Sequence, residues 1–175
     1  VSGAAQADPI CDELWFTRNL VFDRAGYCFS SILGESTFDN GDCTTTTPAL
    51  SAADRRVVNA VRDTEIEWNC DITSSVLRPF AFNTTLRRQM RDLPVVTGYE
   101  SSCFFWQAAP MPVRLGRSES ARSLGNIYRG DDLEFGHISV DGWEYVIVRR
   151  NGQQVREGWA YFGGHDETRC KNWAG

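Results

Sequence analysis

The sequence predicts an α+β fold: a small, disulfide-stapled helical domain followed by a small β-barrel. Three observations point there. Apolar residues recur at spacings of three, four and seven from Ile10 to Trp68, the mark of helices with one buried face. From about Tyr99 the pattern changes to alternation, the mark of half-buried strands. Six cysteines stand far apart at positions 11, 28, 43, 70, 103 and 170, the usage of a chain whose small cores need covalent support.

The elements follow in order. Asp8 can cap a first helix with Pro9 at its first position, and Ile10, Cys11, Leu14, Trp15, Val21 and Phe22 form its apolar stripe. Gly26 tolerates the left-handed conformation that ends such a helix. A second, shorter helix is expected from Phe29 to Phe38, stopped by Asp39-Asn40-Gly41, and the run Thr44 to Thr47 reads as loop. Ser51-Ala-Ala-Asp54 is a variant capping box, and Val57, Val58, Val61 and Trp68 give a third helix ending near Cys70. Residues 73–98 read as a connector with one short helix, Thr84 to Asp92, closed by Pro94. Strands are expected at Cys103 to Gln107, Pro112 to Leu115, Leu133 to Ser139, Trp143 to Arg149 and Gln154 to Tyr161. Asn151-Gly152 is the turn of a hairpin.

Composition narrows the class. Charged residues are 23% and hydrophobic residues 42%, as in ordinary globular chains. The net charge of -5 offers no general basic face for nucleic acid. No apolar run approaches the ~20 residues of a membrane-spanning helix. The cysteines have no zinc-knuckle spacing and there are only two histidines, so neither a metal nor any other cofactor is expected. An even count of widely spaced cysteines reads as disulfides and an oxidising compartment, periplasmic or secreted. Ala5-Gln6-Ala7 before Asp8 resembles a signal-peptidase site, so residues 1–7 are either the tail of an export signal or a mature N-terminus.

Two family resemblances sharpen this reading. Leu14-Trp15-Phe16-x-Arg18-Asn19-x-x-Phe22, followed by Gly26-Tyr27-x-Phe29, resembles the YARHG domain, a small helical module of exported bacterial proteins with no assigned chemistry. The likeness spans roughly residues 8–72. The sequence departs from the family in its name motif: Phe22-Asp23-Arg24-Ala25-Gly26 stands where the family has Tyr-Ala-Arg-His-Gly, and the histidine is absent. Pro112-Val113-Arg114-Leu115-Gly116, Leu124-Gly125, Arg129-Gly130-Asp131, Asp141-Gly142-Trp143 and Glu157-Gly158-Trp159 resemble a bacterial SH3-like domain over about residues 110–163, within a barrel domain expected over residues 99–175. That resemblance implies a closed barrel and a peptide groove of exposed aromatics, for which Tyr128, Trp143, Trp159 and Tyr161 are the candidates.

Topology suggests how the sulfurs pair. If the first two helices are antiparallel, Cys11 meets Cys43 and Cys28 meets Cys70, with Cys28–Cys43 the rival pairing; Cys103 and Cys170 join the ends of the barrel. Arg18 sits on or beside the apolar stripe of the first helix and Glu65 on that of the third, so an Arg18–Glu65 ion pair is expected, because a charge in that position needs a partner. That partner should also hold the Glu65 carboxyl below its ordinary range. No nucleophile elbow, zinc-protease helix or phosphate loop is present, and the expectation is an exported, non-enzymatic binding module of the bacterial envelope that recognises a protein, peptide or cell-wall fragment. An inhibitor of a secreted hydrolase, or a hydrolase with a site between the halves, are the alternatives.

Overall fold

A computed structural model of the chain describes residues 8–175, so the reading of residues 1–7 as an export-signal remnant lies outside the described residues. The chain forms two compact units that divide between Arg88 and Gln89.

The first unit is helical: α1 (Pro9–Arg24), α2 (Ile32–Thr37), α3 (Ala52–Glu67) and α4 (Thr84–Gln89), whose last residue belongs to the second unit. Asp8 caps α1 by accepting from the Ile10 N–H, and Ser51 caps α3 by accepting from the Asp54 N–H, as the sequence expects. Gly26 follows α1 with φ +81, and a Cβ there would lie 2.5 Å from Thr44 Oγ1, so both backbone angle and space require glycine. The core is aromatic. Trp15, Phe16, Phe29 and Phe38 pack with Phe80 and Phe82 at ring separations of 4.8 to 6.0 Å. Phe80 and Phe82, in the segment read as connector, thus complete the helical core.

Two disulfides hold this unit, and their pairing corrects the expectation. Cys11 is bonded to Cys70 and Cys28 to Cys43; Cys11–Cys43 and Cys28–Cys70 do not form. The reason is that α1 packs against α3 rather than α2. Arg18 meets Glu65 and Cys11 meets Cys70, so the two helices run in opposite directions and the start of α1 lies beside the end of α3. The short bridge is prepared by hydrogen bonds: Asn40 accepts from the Phe29 N–H at 2.9 Å and donates to the Phe29 carbonyl at 2.7 Å, and the Cys28 N–H donates to the Thr45 carbonyl.

The second unit is a sheet of seven strands: β1 (Val96–Trp106), β2 (Met111–Arg114), β3 (Ser123–Ile127), β4 (Asp132–His137), β5 (Trp143–Arg150), β6 (Gln153–Tyr161) and β7 (Cys170–Ala174), in the order β3-β2-β6-β5-β4-β1-β7. All pairings are antiparallel. The closed SH3-like barrel expected from the sequence is not what forms. The Cys103–Cys170 disulfide, paired as expected, holds β7 against β1 and occupies the edge that closure would need, so β3 and β7 remain as separate edges. One face carries a buried core of Trp106, Val113, Ile127, Leu133, Val146, Val148 and Ala160. On the other face Tyr145 and Trp159 are buried edge to face, and Trp159 Nε1 donates to the Asp92 carbonyl.

Candidate ligand-binding site

Strand alternation builds a concavity in the second unit. On β5, Val148 and Val146 point into the core; two residues further on the same face stands Glu144. The register agrees: Leu133 lies opposite Val148, Phe135 opposite Val146, and Glu144 opposite Ala160, all core-facing partners. The row of apolar side chains therefore ends in a carboxylate at the mouth of the core. Beside it opens a cavity of about 610 Å³. Its wall is aromatic: Phe135 stacks on Trp173 with centroids 6.0 Å apart, and Phe162 meets Phe135 at 5.5 Å and Trp106 at 5.9 Å, both edge to face. Both histidines of the chain, His137 and His165, line it, with Asp166, Glu167 and Arg169 on the loop before β7.

The charged groups of this cavity differ in how they are held. Arg169 is fixed three ways. Its Nη1 donates to the Phe162 carbonyl at 2.8 Å, its Nε lies 3.4 Å from Asp166 Oδ2, and its guanidinium lies over the Phe162 ring. Asp166 also accepts from the Thr168 hydroxyl and N–H, and these hydrogen bonds hold its carboxyl below the usual carboxylate range. Glu144 has no hydrogen bond or ion pair among the described residues. Burial raises its pKa above the ordinary glutamate value of 4.5, with no neighbouring charge to offset it. A half-buried, unpaired acid in an aromatic cavity is the kind of group expected to await a ligand.

Of the four aromatics expected to form a ligand platform none lines this cavity, and two of them, Trp143 and Tyr161, are in contact. Trp143 and Tyr161 are opposite in register and meet at 5.3 Å, on the face that also carries Tyr145 and Trp159. Trp159 is 1% exposed, beneath the Arg117 guanidinium. Tyr128 is 43% exposed, under the guanidinium of Arg150, which donates twice to the buried Asp131. The loop from Arg117 to Arg122 is tied down: Arg117 N–H donates to Asp92 and Arg122 to Gln89. Sequence reasoning passed over Glu144, although the alternation Glu144-x-Val146-x-Val148 carries the signal.

In the helical unit Arg18 Nη1 lies 2.5 Å from Glu65 Oε2. The expected lowering of the Glu65 pKa is reversed, because burial raises it by more than the Arg18 charge lowers it. Asn19 donates to the Trp15 carbonyl of its own helix, not to the following loop. Arg18, Asn19, Phe22 and Tyr27, from the blocks that resemble the YARHG domain, line a shallower cavity of about 350 Å³. Among the described residues no cysteine is free, no group of three or more His, Cys, Asp or Glu could hold a metal ion, and no helix is long and apolar enough to cross a membrane.

Fold and cavity together define a two-unit disulfide protein: a stapled helical unit, then an open antiparallel sheet with one aromatic, acid-bearing concavity. The chain belongs to the family described as Domain of unknown function (DUF4453), which matches residues 69–175, and the YARHG domain matches residues 2–66. The family of the C-terminal part is thus DUF4453 and not an SH3-like domain. No curated protein and no solved structure matches the chain significantly. Three disulfides and a YARHG domain are consistent with an extracytoplasmic protein.

Proposed function

We propose that the sheet unit is a non-catalytic binding module that takes a peptide or cell-wall fragment outside the cytoplasm, through the cavity between β1, β4, β5 and the loop before β7. One observation carries the reading: an aromatic-walled cavity of about 610 Å³ whose half-buried carboxylate, Glu144, has no hydrogen-bond or ion-pair partner among the described residues. Stacked rings supply contact area with little loss of side-chain freedom, and a single polar group sets orientation. The disulfide at Cys103–Cys170 fixes β7, and with it Trp173, to the rest of the wall. The helical unit, with its own core and two bridges, is the support that carries this module.

The test is retention on purified peptidoglycan at low salt, with wild type, Trp173→Ala and Tyr161→Ala compared. Trp173 stacks in the wall, whereas Tyr161 is 53% exposed and lies outside the cavity. Wild type and Tyr161→Ala are expected to be retained and Trp173→Ala to be lost. Equal behaviour of the two variants, or no retention of wild type, counts against the proposal.

A further inference from the structure

We infer that the cavity recognises a primary ammonium group of a short peptide, free or attached to the cell wall, held by the Glu144 carboxylate against the rings of Phe135, Phe162 and Trp173. This rests on the reading that the cavity binds such a fragment, and adds what part of it is recognised.

The inference comes from charge. The cavity is lined by three carboxylates, Glu144, Asp166 and Glu167, against one guanidinium, Arg169. Asp166 is engaged by Arg169 and Thr168, and Arg169 by Asp166 and the Phe162 carbonyl. Their charges answer each other. Glu167 lies 3.8 Å from His165 at the exposed rim, and its side chain is 83% exposed. Glu144 remains, set inward on the core face, with no ion pair among the described residues. A ligand that brings an ammonium supplies the missing partner.

The walls agree with this choice. Aromatic faces attract cations through their negative quadrupole, and the attraction grows where water is excluded. An anionic ligand would face Glu144, while the one guanidinium of the cavity, Arg169, is already engaged by Asp166 and the Phe162 carbonyl. A neutral sugar would stack on the rings but bring no charge to meet the carboxylate. A primary amine is favoured over a quaternary one because its N–H groups can donate to the carboxylate, which accepts only.

The experiment has two probes. Solubilised peptidoglycan fragments and a synthetic lysine-containing tripeptide are each presented with free amines and after amine acetylation, and binding is measured by calorimetry on the full chain. Both free-amine probes are expected to bind. Acetylation should weaken each by about tenfold or more, the scale of a lost charge-assisted hydrogen bond. Glu144→Gln should bind the free-amine probes as poorly as wild type binds the acetylated ones. The acetylation arm needs no variant, so it decides even if Glu144→Gln fails to fold. Equal binding of free and acetylated fragments overturns the ammonium assignment and leaves the binding module standing. Binding of the tripeptide without binding of the fragments keeps the ammonium site and overturns its attachment to the cell wall. No binding of any probe overturns both.

Discussion

The two bridges of the helical unit should differ in what they contribute, and the difference can be worked from their positions. Cys11–Cys70 closes a sequence separation of 59 and Cys28–Cys43 one of 15. A cross-link removes loop-closure entropy from the unfolded chain. On that account the longer loop is worth about 4.3 kcal/mol and the shorter about 3.0 kcal/mol. Burial acts in the same direction: Cys11 is 4% exposed and sits in the core, whereas Cys28 and Cys43 are only half-buried. Replacing Cys11 and Cys70 by Ala should therefore destabilise the unit by at least about 1.2 kcal/mol more than replacing Cys28 and Cys43. The assay is urea unfolding followed by circular dichroism in the helix band, which reports this unit because α1 to α3 and most of α4 belong to it. With a slope of roughly 1 kcal/mol per molar urea, the midpoints should stand roughly 1 M apart. Equal midpoints, or a lower midpoint for the Cys28/Cys43 variant, would refute the view that loop closure sets the stability of this unit.

Other expectations concern charge and backbone. Arg18→Met should cost roughly 2 kcal/mol at neutral pH, because Glu65 is left half-buried and without its arginine. The loss should shrink as pH falls through the raised Glu65 pKa, and Arg18→Met/Glu65→Met should recover most of it; chemical denaturation at two pH values measures both. Gly158→Ala should destabilise the sheet unit by about 3 kcal/mol in a thermal melt, since φ is +154 and a Cβ would meet the Arg114 carbonyl at 2.7 Å. Gly152→Ala, at a positive φ with no atom within 4 Å, should cost only about 1 kcal/mol. For Glu144 the folded pKa lies above the unfolded value of 4.5, so the native state binds more protons between the two. Stability thus falls as pH rises through that window. Glu144→Gln should lack this fall and melt higher than wild type at neutral pH; an unchanged profile would show that Glu144 is solvated.

Much of the helical unit could be read from local signals, because caps and stops act over a few residues. Asp8, Ser51 and Gly26 stand where the expected cap chemistry puts them. Which helix lies beside which is a tertiary fact, and the two mispaired disulfides follow from one wrong neighbour, α2 in place of α3. The strands Ser123–Ile127 and Cys170–Ala174 were missed for a related reason. Each lies at a sheet edge, where only one side of the strand is paired and little alternation is imposed. Tyr128, Trp143, Trp159 and Tyr161 lie outside the cavity, a position that residue type read without face does not reveal. Trp143 and Tyr161 point away from the cavity, and Glu144, one residue from Trp143, points toward it.

That single residue stands apart from the other inward acids of the fold. Four other inward acids meet arginines: Asp12 meets Arg78, Glu13 meets Arg87, Glu65 meets Arg18, and Asp131 meets Arg150. Asp131 is 1% exposed and takes two hydrogen bonds from Arg150, so even a fully enclosed acid is accommodated when a guanidinium meets it. Glu144 is at the end of an apolar row in which a valine, repeating Val146 and Val148, would extend the core and remove the burial penalty. Those four acids meet guanidinium groups and Glu144 does not, so it carries a cost that its own packing does not require. Strain of that kind collects where a partner is to be met, and the cavity wall of stacked rings stands within the same concavity.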